Sequence, residues 1–141
     1  MNLKDIVLNS KAAWVDFPGL SGFEIEVVNL SRKELTKLRK KCTNQKFNRK
    51  SRVMEEILDE ELFVKNFANL TVKNWKGLTF EHLETLILVD TAGKDLTEEI
   101  LYSKENAEVL VSSSTEFDTF INEVCFDLQR FSRKTNEDSV E

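Results

Sequence analysis

The strictest alternation in the chain follows its single proline. Phe23, Ile25 and Val27 alternate with Glu24 and Glu26, a period of two that sets one face of a strand on a core and the other in water. Ahead of it "AAWVDF" runs into "PGLSG". There Pro18 presets φ and Gly19 accepts the left-handed region, as a tight turn requires. A β-hairpin is expected over residues 12–30.

Beyond Leu30 the period changes. "SRKE" has the form of a capping box, with Ser31 at the N-cap and Glu34 three residues on. Leu30 and Leu35 are spaced as a hydrophobic staple across it. The apolar stripe of that helix is narrow, Leu35, Leu38 and Cys42, and its other faces are basic. "TNQKFNRKSR" (43–52) has no apolar period and reads as a loop. "DEELFVKNFANLTVKNW" (59–75) reads as a helix: acids crowd its first turn, where the macrodipole favours them. Phe63, Val64, Phe67, Ala68, Val72 and Trp75 make a broad apolar face at helical spacing. Thr79 is placed to cap a shorter helix, with Leu78 and Leu83 as a second staple pair. "DTAGKDLTEE" (90–99) reads as a loop, and a helix begins at Ser103. The last helix, about Thr115 to Arg133, is expected to bury Phe117, Phe120, Ile121, Val124, Leu128 and Phe131. The expected fold class is therefore α+β, mainly α-helical: an N-terminal β-hairpin followed by about five helices. It forms one domain over 1–133 (hairpin 12–30, helical part 31–133), with a flexible polar tail at 134–141.

Composition agrees with one ordinary domain. The 141 residues are 40% hydrophobic and include ten Phe, enough for a core. One Pro and four Gly are few chain breakers, which favours helices. "MNLKDIVLNSK" lacks a signal-peptide apolar run, and the longest aliphatic run, "LILV" at Leu86 to Val89, is far too short to span a bilayer. Two widely separated cysteines, Cys42 and Cys125, fit a reducing cytoplasm. A soluble intracellular protein is expected.

Charge adds the one signal that structure does not demand. Residues 31–52 hold ten Lys and Arg against one acid, while 53–141 hold eight against twenty, within a net charge of −5. Arg32, Lys33, Lys37, Arg39, Lys40 and Lys41 are the candidate partner-binding residues. Such a stripe can grip phosphates, dock an acidic protein, or remain a solvated face that pairs with the acidic remainder of the chain or of another copy. The acidic balance of the whole chain and the single aromatic of the stripe, Phe47, weigh against nucleic acid.

Catalytic signals are weak. The lone His82 lies beside Trp75, Gly77, Glu81 and Glu84, but no nucleophile and no second metal-ligand residue stands at a suitable spacing. No nucleophile elbow, P-loop or dinucleotide fingerprint is present. Neither catalytic residues nor cofactor or metal ligands are expected. "VKNWKGLTFEHLETLILVD" (72–90) reads as a joint between two helices.

Three stretches, "DFPGLSGFEIEVVNLSRKE", "DEELFVKNFANLTVKNWKGLTFEHLETLILVD" and "YSKENAEVLVSSSTEFDTFINEVCFDLQRF", resemble in pattern and order the tail assembly chaperones of siphophages and prophages, which are encoded beside the tape measure gene. The resemblance covers about residues 12–131. "WKGLT", "YSKENA" and "FDLQRF" are its most specific pieces. It implies a non-enzymatic protein of the bacterial host cytoplasm. Such a protein binds the tape measure protein, keeps it soluble and helps tail tube assembly. It would be absent from the mature virion. It also implies contact with the tail tube protein through a longer frameshifted form. A homo-oligomer fits the segregated charge, and no membrane partner is expected.

Overall fold

The computed structural model describes residues 2–7 and 10–131; the expected polar tail at 134–141 lies outside them. Strands β1 (Ser10–Asp16) and β2 (Glu24–Leu30) form the expected antiparallel hairpin, in register from Ser10↔Leu30 to Asp16↔Glu24. Phe17 N–H donates to Phe23 O at the open end of the turn, 3.0 Å, and Gly19 takes φ +84°. The alternation does what it predicts: Phe23, Ile25 and Val27 are fully buried. On the wet face Lys76 pairs with Glu24 at 3.2 Å and lies 4.8 Å above the Trp14 ring.

Helix α1 (Arg32–Lys41) starts where Ser31 Oγ accepts from Glu34 N–H. The segment after it overturns the expected loop. β3 (Thr43–Asn48) and β4 (Val53–Leu58) pair antiparallel as a separate two-stranded ribbon. Asn48 Oδ1 accepts from the N–H groups of Lys50 and Ser51 at its tip, and that side-chain turn closes the hairpin.

Helix α2 (Glu60–Thr71) is capped by Asp59, whose carboxylate accepts from Leu62 N–H. It stops four residues before Trp75, and Val72–Lys76 is a strand, β5, not the helix's last turn. β5 fills the open edge of β2, giving the order β1–β2–β5. Pairing to a half-finished sheet outweighs the local helical spacing, since β-branched Val72 and aromatic Trp75 suit a pleated surface. A mainly helical fold with one hairpin is therefore incorrect. Among the described residues the architecture is mixed, with five strands in two antiparallel sheets and five helices of seven residues or more. The supposed helical part, 31–133, holds three of those strands.

Helices α3 (Phe80–Leu86), α4 (Lys104–Ser113) and α5 (Thr115–Cys125) follow, the first two capped by Thr79 and Ser103 as expected. α2 and α5 pack on β2, and α4 packs on both helices. Phe17, Phe23, Phe117 and Phe120 meet beneath the sheet, with ring centroids 4.8–6.3 Å apart. The expected last helix breaks at Phe126, and a single turn, α6 (Leu128–Phe131), resumes after it. Asn29 Nδ2 donates to Cys125 O at 2.6 Å, which satisfies a carbonyl left open at the helix end. As a result Leu128, expected in the core, is 72% exposed, while Phe131 is buried.

Candidate binding surfaces

The joint around His82 is built by contact between distant backbones. Gly77 takes φ +78°, and a Cβ there would collide with the Gly22 carbonyl. The hairpin turn and the end of β5 thus meet backbone to backbone. Trp75 Nε1 donates to Ile100 O at 2.9 Å and Gly77 N–H donates to Glu99 at 2.7 Å, tying the 96–102 segment alongside. His82 Nδ1 lies 3.0 Å from Gly77 O and 3.4 Å from Thr79 N. One nitrogen cannot donate to the carbonyl and accept from the amide together. With Nδ1 protonated the ring donates to Gly77 O; with Nδ1 bare it accepts from Thr79 N–H and closes the capping box. The ring stacks on buried Phe23, with centroids 6.3 Å apart. His82 is a clasp for the turn. Among the described residues no three His, Cys, Asp or Glu side chains converge to hold a metal ion, and no helix is long and apolar enough to cross a membrane.

The six basic candidates all lie on α1 and all are exposed. Their density near its C-terminus suits the macrodipole. Arg32, Lys33, Lys37 and Lys40 line one shallow groove of about 590 Å³. Lys37 and Lys41 face a second groove toward α2, joined by Lys104. Arg39 lines neither. None of the six has a carboxylate within ion-pair distance among the described residues, where the ion pairs are Lys76–Glu24 and Arg130–Asp127.

The ribbon carries the remaining cations of the 31–52 stripe, on a hairpin where the sequence predicts a loop. These are Lys46, Arg49, Lys50 and Arg52, likewise without ion pairs among the described residues. All of β4 and the centre of β3 are exposed, so the ribbon stands off the body. Its register sets Phe47 opposite Met54 on one face and puts Val53 and Ile57 on the other. Phe47 is 53% and Met54 57% exposed. Only the Asn48 turn signal and the valine and isoleucine of β4 pointed to a hairpin there.

Across the molecule, α2, α4 and α5 enclose an open cleft of about 710 Å³. Val64 and Val109 lie among acids from all three helices, Glu60, Glu61, Glu108 and Asp118, with Lys65 the one cation lining it. Partial burial pushes the Asp118 carboxyl above its usual range, against a lowering hydrogen bond from Asn122. Burial, and secondarily the Asp118 charge, push the Cys125 thiol up to about 12.

Among the described residues the molecule presents basic and exposed apolar side chains on α1 and the ribbon, and an acidic cleft between α2, α4 and α5. The family profile of the YdaY prophage protein matches residues 30–141. The chain belongs to that family and is a prophage protein. No curated protein and no solved structure matches it.

Proposed function

We propose that this prophage protein is a tail assembly chaperone. It would bind the tape measure protein in the host cytoplasm, keep it soluble and help tail tube subunits assemble, without catalysis. Prophage family membership and the residue patterns shared with such chaperones support the reading. The observation that carries it is the surface of α1 and the ribbon, where ten cations without ion pairs among the described residues accompany exposed Phe47, Val53, Met54 and Ile57. Exposed apolar area marks an interaction site, and dense charge around it keeps the complex soluble. That combination suits a long helical client with apolar stripes. Contact with the tail tube protein through a longer frameshifted form belongs to the same reading.

Co-expression with the tape measure protein of the same prophage tests it. The client is expected in the soluble fraction and in the chaperone's pull-down. Arg32, Lys33, Lys37 and Lys40 changed together to Ala should reduce recovery severalfold. An insoluble client with no co-purification would overturn the proposal.

One observation favours a second reading, nucleic-acid binding through 31–52. A two-stranded ribbon is the right size for a major groove, and this one carries Arg49, Lys50 and Arg52 at its tip. A gel shift that weakens steeply with salt and vanishes when Arg39, Lys40 and Lys41 become Ala would establish it; no shift at low salt excludes it.

A further inference from the structure

A lone two-stranded ribbon is marginal in water. Among the described residues this one has all of β4 exposed and shows apolar side chains on both faces. Six-residue strands reach roughly 20 Å, so the tip stands well away from the α2 N-terminus where the acidic cleft begins. The tip and the cleft have matched character. The tip presents Phe47 and Met54 beside Arg49, Lys50 and Arg52. The cleft presents Val64 and Val109 among Glu60, Glu61, Glu108 and Asp118. Arg52 adds a second indication. It takes φ +56°, a backbone position that glycine or asparagine occupies at lower energy, so the turn carries strain to keep a guanidinium at the tip.

We propose that the occupant of the cleft is the ribbon tip of a second copy of this chain. Phe47 and Met54 settle on Val64 and Val109, and the tip cations sit against the four carboxylates. Arm and cleft are different surfaces of one protomer, so the contact is head-to-tail. Docked one way, without reciprocal exchange of arms, each added copy offers a free arm at one end and a free cleft at the other, giving a ring or an open series. The incoming cations offset the charge of Asp118, whose partial burial disfavours its ionised form. Phe47 and Met54 also belong to the client surface proposed above, so a client and a neighbouring copy compete for the ribbon tip.

The test is sedimentation of the full chain at rising concentration, with two variants. The wild type is expected to grow beyond a dimer at low salt. Its association should weaken at least about tenfold when salt rises from about 0.05 M to about 0.5 M, as screening shortens the reach of the charges. The arm variant, Arg49→Ala with Lys50→Ala, and the cleft variant, Glu60→Gln with Glu61→Gln, should each be monomeric. Mixed in equal amounts they should form a heterodimer that stops at two, since only one intact arm and one intact cleft remain. Arg52→Gly guards against misfolding: relief of the strained φ should hold or raise thermal stability while association weakens. A monomeric wild type at low salt, a closed symmetric dimer, unchanged assembly of either variant, or two monomeric variants that fail to complement would each overturn the proposal. Client recovery in co-expression is read separately, so a failure here is distinguishable from a failure of the chaperone reading.

Discussion

The two sheets of this protein differ less in their strands than in what covers them. β1–β2–β5 has one face sealed by α2 and α5, and its central residues are inaccessible. β3–β4 has the same antiparallel pairing and similar strand lengths, yet among the described residues no layer lies on either face. Side-chain burial stabilises the first. The second is left with backbone pairing and cross-strand contacts of only a few tenths of a kcal/mol each. Apolar side chains are structural in one and available in the other.

The sharpest way to break that contrast is to truncate one phenylalanine in each sheet system. Phe23, fully buried among Phe17, Phe117, Trp75 and His82, should cost about 3–5 kcal/mol as Phe23→Ala. Phe47→Ala on the ribbon should change stability by no more than about 0.5 kcal/mol. Denaturant unfolding of the two variants measures both. A ribbon variant as damaging as the core variant would mean the ribbon is covered after all.

Glycines sharpen the comparison at the backbone. Gly77→Ala brings a positive φ and a collision with the Gly22 carbonyl together, and about 3 kcal/mol or more should be lost. Gly19→Ala has a similar φ with open space around it, so only about 1–2 kcal/mol should go. Equal melting temperatures for the two would show that the backbone contact contributes nothing.

Much of the body was legible because its signals are local. The Phe23–Val27 alternation, the Pro18-Gly19 turn and the caps at Thr79 and Ser103 each act within a few residues. β5 was not legible, because Val72 and Trp75 fit a helical stripe and only the vacant edge of β2, some 45 residues earlier in the chain, makes them a strand. The ribbon was hidden for the opposite reason. With both faces wet, its apolar residues fall on both sides of the register and show no alternation to read. The six α1 cations were visible by type and spacing. The hairpin that carries the rest of the 31–52 stripe was not, nor was the cleft, whose acids come from three helices.

A smaller effect compares caps. Ser114 is buried between α4 and α5, and its hydroxyl accepts from Phe117 N–H at 3.0 Å. Ser114→Ala leaves that amide without a partner in the core and should cost about 2 kcal/mol. Asp59 caps α2 beside the ribbon in open solvent, 3.1 Å from Leu62 N–H; Asp59→Ala should cost about 1 kcal/mol or less, because water can replace the carboxylate.

A last effect belongs to Cys125, and its pH dependence shows only in alkali. The folded thiol is pushed up to about 12 from an ordinary value of 9.0, by burial first and the Asp118 charge second. Below pH 9 the thiol is protonated in both states and its contribution is fully present. Between pH 9 and about 12 the unfolded chain gives up the proton while the folded chain holds it, so stability falls as pH rises. Tyr102 shifts in the same direction, through burial and the nearby Glu108, and adds to the slope. Cys125→Ala should therefore be destabilising at pH 7 by the small cavity it leaves, about 1 kcal/mol. That deficit relative to wild type should shrink at each step from pH 9 to 11 in denaturant titrations. Asp118→Asn should make the wild-type decline smaller and end it at a lower pH, by removing the second cause of the raised thiol. A deficit that stays constant across that range would mean the thiol is not held protonated by the core.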